Sequence, residues 1–226
     1  MTAKTRHLRE LIASGDFLYM PSAATPLEGR LAEAIGTPLV YTGGYVTGAS
    51  RMITEPLLTM DEQVRVAGEV ARAVAVPLVA DAGAGFGEPL HTMRTVREFA
   101  AAEVGADLGL VFPRNHEEAA AAPRLAAVPL VWVQSRGNRD GRPILSLGEL
   151  KAMGYRACID AQILLGVAMH FMKGALREIV TSGRYTGIGD AEFTALRQEI
   201  EDLIGLDAYY RIESETVEAG EGTTPG

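Results

Sequence analysis

The chain of 226 residues has one cysteine, Cys158, which excludes an intramolecular disulfide and fits a reducing compartment such as the cytoplasm. It has no run of about 20 uninterrupted apolar residues. The most apolar stretch, Ala161–Ile179, carries His170, Lys173, Arg177 and Glu178 and reads as a buried or subunit-facing helix, not a membrane span. It has no basic excess: 21 Lys and Arg stand against 29 Asp and Glu, a net charge of -8. That balance argues against nucleic acid or an anionic membrane as a partner. The opening residues Met1–Glu10 are polar and lack the apolar core of a signal peptide. His91, His116 and His170 stand alone, without a second ligand at metal spacing, and read as structural.

Short apolar runs alternate with longer amphipathic ones. Strands are expected at Phe17–Met20, Leu39–Tyr41, Leu78–Ala80, Leu108–Phe112, Leu130–Val133 and Ala157–Ile159. Helices are expected at Pro26–Ile35, Met60–Val74, Pro89–Val104, Glu117–Ala126, Ser146–Met153 and Ala161–Thr181. The alternation implies βα units and a parallel sheet covered on both faces. A charged helix, Asp190–Leu203 with Asp190 as its cap, and a short one at Leu206–Tyr210 follow, then a Gly/Thr/Glu tail expected to be disordered. The organisation expected is a barrel domain over 1–182, a helical extension over 183–218 and a tail over 219–226. Six βα units are two short of a closed (β/α)₈ barrel, which takes about 250 residues.

The stretch from Val79 to Gly87 carries the chemistry. An apolar run ends in Asp81, and Gly83, Gly85 and Gly87 follow. A buried parallel strand thereby delivers a carboxylate to a cleft mouth and turns away. Asp81 is the candidate metal ligand, because Mg²⁺ takes one or two carboxylates together with waters and substrate oxygens. The plainer reading is a helix-capping or turn aspartate. Tyr41, Thr42, Gly43 and Gly44 end another strand, where backbone N–H groups and the Thr42 hydroxyl suit a substrate carboxylate; a Gly-rich turn is the alternative. Arg136 follows the strand Leu130–Val133 and suits a substrate carboxylate or, equally, a surface ion pair. Glu55, Glu88 and Asp160 carry no stronger claim than a solvated, dipole-favoured or strand-end acid. Cys158 lies inside an apolar strand and reads as inert core.

Ordered segments resemble the isocitrate lyase/phosphoenolpyruvate mutase superfamily. They are Pro21 to Ala32, Tyr41 to Ser50, Asp81 to Gly87, Met93 to Phe99, Gly105-Ala106-Asp107, Pro113-Arg114-Asn115, Leu145 to Leu150 and Leu203 to Leu206. The resemblance implies a (β/α)₈ TIM-barrel fold with extra C-terminal helices. It implies Mg²⁺, or Mn²⁺ in its place, at the C-terminal mouth. It implies a small 2-oxo or 2-hydroxy dicarboxylate substrate, C–C bond cleavage, and a homotetramer or homodimer with exchange of a C-terminal helix. By the same comparison the fourth and fifth βα units are missing at Val104/Gly105. With them would go a metal-linked glutamate, the acid/base loop and a substrate arginine. The family's second acid after Asp81 is here Gly83. The expected function is a Mg²⁺-dependent C–C lyase. The alternatives are a non-catalytic relative that binds a carboxylate or only assembles, and a mutase-type or aldol-type transferase.

Overall fold

The computed structural model describes residues 3–83, 86, 94, 95, 97, 98, 109–126 and 129–216. Two units are distinguished, 1–169 and 170–226. The helix Pro89–Val104, the junction Val104/Gly105, Glu88, His91 and the tail 219–226 lie wholly or mostly outside the described residues.

In the first unit the elements run α1 (Ala3–Ala13), β1 (Leu18–Pro21), α2 (Pro26–Ala34), β2 (Val40–Thr42), α3 (Gly44–Ser50), a 3₁₀ turn (Glu55–Leu57), α4 (Met60–Ala73) and β3 (Leu78–Ala80). Then come β4 (Gly109–Val111), α5 (His116–Leu125), β5 (Leu130–Gln134), α6 (Leu147–Met153), β6 (Ala157–Asp160) and the start of α7 (Ile163–Ser182). Helices α2, α4 and α6 open on reciprocal capping boxes, Thr25 with Glu28, Thr59 with Glu62 and Ser146 with Glu149. Each box satisfies two backbone donors that the first helical turn would leave unpaired.

All strand pairings are parallel. One sheet has the order β1-β6-β5-β4 and the other is β2-β3. A parallel bridge, Ser22 with Tyr41, ties β1 to β2, and the Ala23 N–H donates to the Tyr41 carbonyl at 2.8 Å. The six strands therefore follow barrel order, and among the described residues β3 and β4 are not paired with each other. Each strand sends one side chain inward: Met20, Tyr41, Val79, Leu110, Val131 and Ile159 line a residual internal cavity of about 150 Å³. That inward layer is what alternation along parallel barrel strands dictates. Outside it, α2 and α4 pack Ala32, Val66, Val70 and Ala71 against β2 and β3.

Two helices, α1 and α3, were not expected from the sequence pattern, the first because its opening reads as polar and the second because Gly44 and Gly48 read as loop. In the second unit α8 (Asp190–Ile204) and α9 (Leu206–Thr216) follow α7. The cap of α8 is Gly189, so Asp190 is its first helical residue and acts on the helix dipole rather than as the cap. No described helix is long and apolar enough to cross a membrane.

Candidate functional site

Strands β2 and β3 are in register, with Thr42 opposite Ala80, so the residues that follow them emerge side by side. Asp81 is the first residue past β3, and its N–H donates to the Thr42 carbonyl at 2.9 Å. Its carboxylate is held twice. The Tyr41 hydroxyl donates to Oδ2 at 3.0 Å and the Gly83 N–H donates to Oδ1 at 2.8 Å. Gly83 has a φ of 53°, a left-handed conformation that glycine adopts without strain and that folds the chain back onto Asp81.

Asp81 faces a cavity of about 470 Å³, shared with Tyr41, Gly43, Gly44 and Glu55 and completed by the loop after β5. That size suits a small-molecule site. Burial, then the charge of Asp81 and the hydrogen bond to it, push the Tyr41 phenol well above its ordinary range, so Tyr41 stays protonated and acts as a donor. Glu55 stands at the rim, and its carboxyl is raised by partial burial and then by the Asp81 charge. Gly43 and Gly44 permit this crowding. A Cβ at Gly43 would lie 2.7 Å from the Tyr41 ring, and one at Gly44 would lie 2.7 Å from Glu55 Oε1.

Of the residues singled out in the sequence, Asp81, Tyr41, Gly43 and Gly44 meet at this cavity. Thr42 does not line it; its side chain is wholly buried, and its hydroxyl has no partner among the described residues. Arg136 is joined to Asp160 through three hydrogen bonds, the shortest 2.8 Å from Nη2 to Oδ2, so each answers the other's charge. Among the described residues the cations that face the cavity are Arg139 and Arg142, neither of them singled out in the sequence. Burial raises the Cys158 thiol to about 12, which keeps it an unreactive core residue.

A hard cation wants oxygen donors, and Asp81 just past β3 and Glu55 on the 3₁₀ turn after α3 supply them. Asp81 keeps acceptor capacity beyond its two hydrogen bonds, and Glu55 is close enough to feel its charge. Among the described residues no three of His, Cys, Asp and Glu cluster as a closed metal cage. The donor set therefore fits Mg²⁺, which keeps waters and needs only one or two carboxylates, and would not suit a softer ion.

Residues 8–108 match the family model for phosphoenolpyruvate phosphomutase. The chain is 38% identical to 2-methylisocitrate lyase of Aeropyrum pernix over 92 residues, covering 40% of this chain and 30% of that protein. It is 30% identical to isocitrate lyase of Haloferax volcanii over 161 residues, covering 70% of this chain and 41% of that protein. The chain thus spans well under half the length of these curated relatives. Solved structures share the fold. One is 2,3-dimethylmalate lyase, with a TM-score of 0.82 at 20% identity over 95% of this chain and 99% of that one. Another is phosphoenolpyruvate phosphomutase from Streptomyces platensis, with a TM-score of 0.80 at 21% identity over 94% and 99%. The chain belongs to the isocitrate lyase/phosphoenolpyruvate mutase superfamily. In this superfamily member, the family-model match takes in β1, β2 and β3, and with them Asp81 and the Tyr41–Gly44 turn.

Proposed function

We propose that the chain is a Mg²⁺-dependent lyase that cleaves a C–C bond in a small 2-oxo or 2-hydroxy dicarboxylate. The observation that carries this reading is Asp81, fixed by Tyr41 and Gly83 at the end of β3 and turned into the cavity. Asp81, with Glu55 beside it, would hold the metal. Bound there, Mg²⁺ would supply Lewis-acid stabilisation of the enolate that forms as the bond breaks. Tyr41 keeps Asp81 aimed, since a phenol that stays protonated donates to its carboxylate. The Gly43 and Gly44 backbone leaves room for a carboxylate to approach the main chain closely. The relatives' names fit this class: isocitrate lyase, 2-methylisocitrate lyase, 2,3-dimethylmalate lyase and oxaloacetate decarboxylase.

The test is a panel of 2-oxo and 2-hydroxy dicarboxylates followed by NMR for cleavage products. Turnover is expected with Mg²⁺, lost in EDTA, and reduced at least about 10³-fold by Asp81→Ala with the thermal midpoint nearly unchanged. Cleavage that persists in Asp81→Ala would remove the metal role. The β3 and β4 edges, which have no strand partner on that side among the described residues, favour a second reading, a non-catalytic relative that binds a carboxylate. Folded protein that binds dicarboxylates but cleaves none of the panel would select it.

A further inference from the structure

The loop after β5 is built to hold one shape. Gln134, buried at the strand end, donates from Nε2 to the Leu145 carbonyl at 2.7 Å and accepts from the Leu145 N–H at 3.1 Å. It thus imitates a backbone pairing across the base of the loop. Asn138 repeats the device inside it. Its Nδ2 donates to the carbonyls of Ser135 and Arg142, each at 3.0 Å, and its Oδ1 accepts from the Arg142 N–H at 2.8 Å. Gly137 and Gly141, both at left-handed φ, make the turns this closure needs.

The side chain so positioned is Arg142. It is only 17% exposed, and its guanidinium lies 5.3 Å from the centre of the Phe112 ring. It faces the same cavity as Asp81 and Glu55. Its Nε is buried and has no hydrogen-bond partner among the described residues. Asp140 Oδ2 lies 3.0 Å away, close enough for an ion pair but without a hydrogen bond, and Asp140 is 62% exposed, where water screens the attraction. Asp140 lines the same cavity beside Arg142 and is its ion-pair partner, but a mostly buried guanidinium whose counter-ion is largely exposed, facing Asp81 and Glu55 across a cavity, is a site for a further anion. The cavity thus carries Asp81 and Glu55, which suit a cation, and, on the loop after β5, Arg139 and Arg142 with the acid Asp140 between them; of these Arg142 is the one that suits a carboxylate.

We infer that Arg142 binds the carboxylate of the substrate remote from Asp81 and so selects dicarboxylates over monocarboxylates. This rests on the lyase reading for the word substrate, but the binding preference can be measured without turnover. The probes are succinate and butyrate, four-carbon acids that differ by one carboxylate, titrated calorimetrically in Mg²⁺. Wild type is expected to prefer succinate about tenfold or more, as a charge-assisted bidentate contact allows. Arg142→Gln should abolish the preference, and Arg142→Lys should retain part of it, because lysine keeps the charge and loses the fork. An unchanged preference in Arg142→Gln, or a wild type that binds the two equally or binds neither, overturns the assignment. Should Arg142→Gln not fold, an undiminished preference in Arg142→Lys overturns it. Mg²⁺ titration of the same samples keeps the two readings apart. Preserved Mg²⁺ binding with no succinate preference defeats Arg142 alone. A succinate preference that needs Arg142, without Mg²⁺ binding or cleavage, defeats the lyase alone.

Discussion

Glu55 and Asp81 share one cavity mouth, and the ionised Asp81 helps keep the Glu55 carboxyl protonated above the ordinary glutamate range. Burial is the larger cause, so Asp81→Asn should lower the Glu55 midpoint only part of the way, as read by ¹³C carboxyl titration in EDTA. The sign for stability follows from linkage. A raised folded-state pKa means that Glu55 contributes stability below its unfolded value and loses it as pH rises through the raised one. Asp81→Asn should narrow that window, and an unmoved midpoint would show that the two carboxyls do not interact. Gly43 makes a sharper demand. An added methyl meets the ring of Tyr41, which is buried and has little room to retreat. Gly43→Ala should therefore displace the hydroxyl that holds Asp81 and reduce turnover on the order of 10²-fold, the cost of a small misplacement in a catalytic array. Wild-type turnover in Gly43→Ala would mean that the Tyr41–Asp81 contact does not matter. Asp81 and the Tyr41–Gly44 turn were legible in the sequence, because an acid or glycine pair after an apolar run marks a strand end. Arg142 was not, because its place depends on where a loop of 12 positions, 135–146, closes, and that is decided by Gln134 and Asn138 at a distance.

At the scale of elements, β5 and its loop stand or fall with Gln134. Its Oε1 also accepts from Trp132 Nε1 at 3.0 Å, so one amide serves three buried groups. Gln134→Leu keeps the bulk and strands all three. Each buried group left unpaired costs about 1–3 kcal/mol, and partial relaxation makes about 2–4 kcal/mol the expected total by urea denaturation. A loss under about 1 kcal/mol would mean that water replaces the amide. The strands themselves were readable to within a residue or two, since each is a short, mostly apolar run. Helix α3 was not, because its glycines lower helix propensity and tertiary contact overrides it. Gly48, for one, lets the Ile53 carbonyl lie 2.9 Å from where its Cβ would be.

For the molecule as a whole, the second unit presents Phe171, Met172, Leu176, Val180, Ile200 and Tyr209 at 48–83% exposure within the single chain. So much apolar surface on α7, α8 and α9 calls for cover. A homo-oligomer that buries these helices is expected, and Val180→Glu with Leu176→Glu should shift it toward monomer by light scattering. A wild-type monomer at micromolar concentration would refute this. Periodicity and strand-end chemistry, which are local in the chain, sufficed for the α/β class, the six strands and the acid at β3, because burial writes its period directly into neighbouring residues. The meeting of Tyr41 with Asp81, the diversion of Arg136 to Asp160 and the aiming of Arg142 join residues 24 to 40 positions apart or depend on side-chain clamps. Only the folding of parallel strands around a common interior brings such groups within hydrogen-bond reach, so the tertiary structure alone decided which of the chain's charges face the cavity.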